Sequence, residues 1–217
     1  RVGGAVRDLL LGQEPRDVDY VVVGATTQDM LDLGYQQVGN GFPVFLHPQT
    51  KEEYALARQE RPTGQGGYNG FETTTEDVSL REDLSRRDFT INAMAMDDQG
   101  QIIDPFGGQA DLQARIIRHV SDAFAESPER PLRAAYFEAR FGFHINPETA
   151  TLCRQMAADG RLSEIVPDLQ FKLLSKGLMT DRPGRFIHLL WSLGALRFIL
   201  PEVDALFGVP QPPQHHP

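Results

Sequence analysis

The segment "VDYVVVG" at 18–24 is apolar at most of its positions and ends on a glycine, the pattern of a buried strand. "FPVFLHP" (42–48) and "EEYALARQ" (52–59) predict two further strands, with "HPQTK" as the turn between them. "AVRDLLLG" (5–12) predicts a short helix closed by Gly12. "TTQDMLDLG" (26–34) predicts another, capped by Thr26 or Thr27 and closed by Gly34. The stretch 62–79, "PTGQGGYNGFETTTEDVS", is polar and rich in Gly and Thr, and predicts an exposed, mobile loop. "LREDLSRRDFTINAMAM" follows as a helix or helical turn leading into a buried segment, then "GQIIDPFGG" as a short strand and turn.

From "QADLQARIIRHV" onward the spacing of apolar residues becomes helical, with helices expected at 109–118, 128–140, 147–158, 168–178 and 183–196. The predicted class is α+β: a mixed-sheet domain over 1–120, then an all-helical region over 121–217. No repeat or heptad is present. No stretch approaches the 18 apolar residues of a membrane span, so no membrane partner is expected. Both ends of the chain look cut.

Composition narrows the chemistry. The net charge is -9 over 217 residues, which argues against a general nucleic-acid binder. Residues 1–120 carry -8 of it and 121–217 only -1, so a nucleic-acid surface would be a local patch. The single cysteine, Cys153, lies in a helical pattern and reads as a small buried hydrophobe. A lone thiol without a leader fits a cytoplasmic protein. The histidines show no metal-ligand spacing. The pattern carries no oligomer signal.

Three clusters carry candidate chemistry. In "RDVDYVVVG", Asp17 and Asp19 stand two positions apart, so a strand would point both carboxylates to one side. Like charges held that close call for a cation, and a hard divalent ion with oxygen ligands suits them. In "KEEYALAR", alternation places Glu53, Ala55 and Ala57 on one face and Tyr54, Leu56 and Arg58 on the other. Glu53 would then complete a carboxylate trio for Mg²⁺. In "GGAVRD", Gly3 and Gly4 permit a tight turn with exposed amides, and Arg7 lies one turn into the helix, where it could reach a phosphate. In "RRDFTINAMA", Asp88 could fix Arg86 or Arg87 while the other meets a triphosphate, with Asn92 as an amide donor and acceptor. A dinucleotide-binding dehydrogenase fits badly, because "VGGAVRD" lacks the G-x-G-x-x-G spacing.

Taken together, "VGGAVRDLLLG", "RDVDYVVVG", "RRDFTINAMA" and "DPFGGQADLQARIIRHV" resemble the catalytic head of bacterial CCA-adding tRNA nucleotidyltransferases, in the superfamily that includes the poly(A) polymerases. The resemblance implies a polymerase beta-like head followed by a helical neck, with a phosphohydrolase domain of HD type missing beyond it. It implies that Asp17 and Asp19 are catalytic Mg²⁺ ligands, with Glu53 as the third acidic residue. Gly4, Arg7, Arg87 and Asn92 would serve the nucleotide in the head, and Arg130 and Arg133 in the neck. "FGG" at 106–108 and Asp111 look like the family's hinge motif. The implied partners are CTP, ATP and a tRNA lacking its 3′ CCA, joined without a template. Poly(A) synthesis, addition of A alone, and an impaired RNA-binding module are the alternatives.

The neck departs from the family pattern. "ESPER" stands where the family has E-D-x-x-R, so Ser127 replaces an aspartate. Tyr136 replaces an arginine, and "PDLQFKLL" puts Leu169 and Leu173 where arginine and glutamate are usual. Pro131 is expected to disturb its helix. Arg140, Arg154, Lys172 and Lys176 are candidates for the tRNA backbone.

Overall fold

The computed structural model describes residues 1–15, 17–38, 44–62, 71–75 and 77–210. They divide into two compact units, Arg1–Glu126 and Ser127–Pro217.

The first unit is built on a mixed sheet. Strands β1 (Asp19–Val22), β2 (Gln36–Val38), β3 (Val44–Leu46) and β4 (Glu53–Leu56) lie in the order β1-β4-β3-β2. β1 and β4 run parallel, and the other pairs antiparallel. Side-chain alternation gives the sheet two apolar faces. On one, Phe45, Leu56 and Val22 pack with Met30 of helix α2 (Thr27–Asp32). Tyr20 and Tyr54 stack on that side at 4.4 Å. On the other, Val21 packs on Val2, Ala93, Ala95 and Leu84 of helix α3 (Leu80–Ser85).

The predicted helix after Gly4 is α1 (Gly4–Leu10), and the turn "HPQTK" closes through His47 N to Glu52 O at 2.9 Å. α2 and α3 each start in a reciprocal capping box, Thr26 with Asp29 and Ser79 with Glu82. Val2 pairs on one side with Asp19 and on the other with Ala95. It thereby joins the sheet to the antiparallel ribbon of β7 (Ala95–Met96) and β8 (Ile102–Ile103).

Two expectations fail here. "EEYALARQ" is not one strand: β4 ends at Leu56 and β5 (Gln59–Pro62) begins after a break. β5 pairs antiparallel with β6 (Phe71–Thr74), inside the stretch expected to be a loop. The β-branched run Thr73–Thr75 favours extended backbone, a preference outweighed in the sequence reading by the neighbouring glycines. The rest of that expected loop between the two strands lies outside the described residues.

The hinge-like "FGG" leads into α4 (Gly108–Ala114), whose first amides bond the Asp104 carboxylate at 2.7 and 2.8 Å. Gly108 is required by contact, because a Cβ there would lie 2.2 Å from the Thr90 carbonyl oxygen. Asp111 accepts from the Thr90 hydroxyl at 2.7 Å and pairs with Arg118 at 3.0 Å.

The second unit is helical: α5 (Arg130–Phe141), α6 (Pro147–Ala158), α7 (Pro167–Leu178), α8 (Pro183–Ser192), α9 (Leu196–Ile199) and α10 (Pro201–Asp204). The helix expected over 183–196 is split into α8 and α9 at Gly194, which has φ 70°. Pro131 does not disturb α5. It sits in the first turn, where the missing N–H has no intrahelical partner to lose. α5 packs on α7 and α8. Its buried Glu138 accepts from the Ile145 amide at 3.2 Å and pairs with the Arg185 guanidinium. Cys153 is fully buried and its thiol is pushed up to about 12 by burial, as a packed small hydrophobe requires. Among the described residues no helix is long and apolar enough to cross a membrane.

Candidate active site

The site grows from the parallel pairing of β1 and β4, which sets Asp19 directly opposite Glu53. Both side chains are exposed, on the sheet face that carries Val21. The start of β1 is pinned by the Val2 amide donating to the Asp19 carbonyl at 3.0 Å. A cleft of about 220 Å³ opens there, lined by Asp19, Glu53, Arg58, Asp83, Arg86 and Arg87 among others.

Asp17 is exposed and lies in a bend before β1, so strand alternation does not extend back to it. Among the described residues no group of three acidic, histidine or cysteine side chains is gathered tightly enough to hold a metal ion. The expected carboxylate trio is therefore not assembled: Glu53 faces Asp19 across the strand pair, and Asp17 does not line the cleft. No hydrogen bond or ion pair within the described residues engages the side chains of Asp17, Asp19 or Glu53. Exposed hard oxygen donors without internal partners fit Mg²⁺, which keeps several waters and shares its coordination with substrate phosphates.

The cationic wall also differs from expectation. Arg58 follows the end of β4 and is among the residues lining the cleft. A carboxylate that gathers the arginines is Asp83. Its Oδ1 accepts from Arg86 Nη2 at 2.8 Å and from the Arg58 amide at 3.3 Å, and its Oδ2 from Arg87 Nη2 at 3.3 Å. Burial pushes the Asp83 carboxyl up, but Arg86 and Arg87, with these hydrogen bonds, outweigh it and hold the group below the ordinary carboxylate value. Asp88 Oδ1 accepts from the Phe89 amide at 2.8 Å and from Asn92 Nδ2 at 3.0 Å.

Gly3 and Gly4 serve this wall in unexpected ways. The Gly3 amide is not exposed for an anion, because it donates to the Met94 carbonyl at 3.0 Å. Gly3 has φ 67°, and a Cβ there would lie 2.6 Å from Arg87 Nη1, so only glycine lets that guanidinium settle. A Cβ on Gly4 would stand 3.3 Å from Arg7 Nη2. Arg7 is 4% exposed. It donates from Nε and Nη2 to Asp8 Oδ1 at 2.8 and 2.7 Å, and from Nη1 to Asn92 Oδ1. The structure thus holds Arg7 against Asp8 and Asn92. Arg7 and Asn92 form a buried polar layer behind the cleft and do not line it.

In the second unit, α5 carries Arg130, Arg133 and Tyr136 on its half-exposed side. Arg133 stands 5.5 Å over the Phe137 ring, and Arg140 Nη1 donates to the Tyr136 hydroxyl at 3.1 Å. Ser127 is half-exposed, and its carbonyl accepts from the Arg130 amide at 3.2 Å. Leu173 is buried and Leu169 half-buried on α7, so both leucines serve packing. Lys172 and Lys176 are exposed on the same helix, and the exposed Arg154 donates to the Ser192 carbonyl at 3.1 Å.

Sequence reasoning missed Asp83 and Arg58. A signal for Asp83 existed: it precedes Arg86 by three residues and Arg87 by four, the spacing at which helical side chains meet.

Residues 1–118 match the family described as "Poly A polymerase head domain". The chain belongs to that family. Residues 142–207 match a second family, "Probable RNA and SrmB- binding site of polymerase A". A multifunctional CCA protein of Pseudomonas paraeruginosa is 57% identical over all of this chain and 54% of its own length. One of Nitrosospira multiformis is 55% identical over all of this chain and 52% of its own. The chain thus spans about half the length of the curated relatives it matches. Among solved structures, the Bacillus stearothermophilus CCA-adding enzyme in complex with CTP aligns with a TM-score of 0.76 and 36% identity, over 89% of this chain and 47% of that one. The Thermotoga maritima CCA-adding enzyme complexed with tRNA gives 0.72 and 30%, over 93% and 48%. The resemblance carried by the four motifs is borne out, as is the mixed-sheet head followed by helices.

Proposed function

We propose that this chain is the head and neck of a nucleotidyltransferase that adds CCA to tRNA 3′ ends from CTP and ATP, releasing pyrophosphate. The single observation that carries the reading is the Asp19–Glu53 pair, set in register on adjacent parallel strands at the edge of an arginine-lined cleft. The relatives' names supply the substrate class: CCA proteins with about half their length in common with this chain, and solved enzymes bound to CTP and tRNA.

Asp19 and Glu53 are the residues to hold Mg²⁺, with Asp17 near the strand entrance. When bound, the ion would acidify the attacking hydroxyl and offset charge on the phosphates. The protein's own part is positioning and electrostatics. Arg87 meets the triphosphate from the cleft wall, where a preorganised guanidinium stabilises charge developing on the leaving phosphates. Gly3 and Gly4 give Arg87 and Arg7 their places. Arg7 and Asn92 hold α1 against the "RRDFTIN" segment from behind, supporting the site without touching the nucleotide. In the neck, Arg130 and Arg133 present guanidinium donors to the base edge, and Ser127 offers one hydroxyl where a carboxylate would accept with charge assistance.

The test is incubation with Mg²⁺ and a tRNA lacking CCA, with labelled CTP and ATP supplied separately and together, beside an Asp17→Ala/Asp19→Ala control. CTP addition followed by ATP, lost in the control, supports the proposal. Addition of ATP alone would make the protein an A-adding or polyadenylating enzyme. Binding of tRNA and CTP without incorporation would make it an impaired RNA-binding module.

A further inference from the structure

Asp83 is 1% exposed, and a buried carboxylate is costly unless it is fully paired. It is paired, but with groups that themselves open onto the cleft. The side chains of Arg86 and Arg87 are 21% and 23% exposed, and both line the cleft with Arg58. The network closes on itself, because Arg86 Nε donates to the Arg58 carbonyl at 3.1 Å while the Arg58 amide donates to Asp83. One carboxylate therefore fixes the backbone of one arginine and the side chains of two others.

Arg87 is tethered through Nη2 alone. Its Nε has no hydrogen-bond partner among the described residues, and Nη1 fits over Gly3 because no Cβ is there. A guanidinium has five N–H donors in a rigid fork; with Nε buried, the donors able to receive an oxyanion from the cleft are those at the Nη end of the partly exposed side chain. Preorganisation of this kind removes the cost of ordering long side chains when the ligand arrives.

We infer that Asp83 is a positioning residue that sets Arg58, Arg86 and Arg87 as a single cradle for the β- and γ-phosphates of the incoming nucleotide. The inference rests on the proposed function and extends it, assigning Arg58 to the triphosphate and giving Asp83 the task of holding the cradle. The cradle reads phosphate and not base, so it serves CTP and ATP alike.

Calorimetric titration of the whole chain in Mg²⁺ with CTP, CMP and inorganic pyrophosphate tests this. Asp83→Asn is expected to weaken CTP and pyrophosphate about tenfold each, the worth of one hydrogen bond to a charged group, and to leave CMP unchanged. Arg58→Ala is expected to follow the same pattern. In a double-mutant cycle, Arg87→Ala should cost less in the Asp83→Asn background than in the wild type, since Asp83 acts through it. Should Asp83→Asn fail to fold, Asp83→Glu keeps the charge and displaces it by one methylene, with a smaller loss again confined to CTP and pyrophosphate. Unaltered pyrophosphate affinity in a folded variant, or an equal loss for CMP, would overturn the cradle. A wild type that binds CTP but not pyrophosphate would also overturn it and leave the proposed function standing. A wild type that binds neither would overturn both.

Discussion

The cleft wall of the first unit and helix α5 of the second treat their polar residues in opposite ways. In the first, three arginines of the motifs are held by the protein: Arg7 by Asp8 and Asn92, Arg86 and Arg87 by Asp83. In the second, Ser127, Tyr136 and Leu169 are half-exposed and stand where the family has charge, while Leu173, which also stands where the family has charge, is buried. A locked residue cannot change alone, because its loss strands a buried partner that costs more than the missing contact. A half-exposed residue changes at little cost to the fold, so departures from the pattern collect there.

The largest effect is expected from removing the carboxylate proposed to hold the metal. Asp19→Ala is expected to lower nucleotide incorporation about 1,000-fold or more, with little change in melting temperature because the side chain is exposed, as single-turnover assays and a thermal melt would show. Next comes restoration of the family's glutamate at a position this chain has given to packing. Leu173 is 4% exposed, so Leu173→Glu is expected to destabilise the helical unit by about 3 kcal/mol in urea unfolding.

Gly3→Ala tests the locked wall from its other side. The added methyl meets Arg87 Nη1 at a backbone of φ 67°, and a loss of about 1–2 kcal/mol with weakened CTP binding is expected. Ser127→Asp tests the permissive side: it should sharpen selection of CTP and ATP over UTP and GTP by about tenfold and leave stability unchanged, measured by competition between labelled nucleotides.

The smallest effect is on acid stability. The Asp83 carboxyl is held below its ordinary value of 3.8, so its ionisation stabilises the fold above that value. That contribution is lost as pH falls from 3.8 through the depressed folded value, where the unfolded chain binds the proton first. Asp83→Asn should flatten the acid limb of the stability curve in this window and lower stability at every pH above it, where the ionised carboxylate contributes in full.

Much of this arrangement is legible in one dimension. α6 and α7 follow from apolar spacing and from Pro147 and Pro167 at their first turns, and "VDYVVVG" does hold a strand, β1, although its residues are half-buried or exposed rather than buried. Asp17, Asp19 and Arg87 stand out because charge bordering an apolar run needs a reason. The errors share one cause. "RRD" draws attention to the adjacent Asp88, but Asp83, three and four residues before Arg86 and Arg87, is the carboxylate seen to meet both. Alternation is carried past Leu56 to Arg58 although the strand stops there, and it joins Asp17 to Asp19 although the strand starts only at Asp19.

The sequence by itself determined most of the element types and the family, since periodicity and motif order are local properties of the chain. Only the tertiary structure decided that Glu53 stands opposite Asp19, that Arg7 lies buried behind the cleft, and that one carboxylate gathers three arginines. Those outcomes depend on strand register and on which polar groups are taken out of water together. Both are settled when distant segments meet and each buried charge must find its partner.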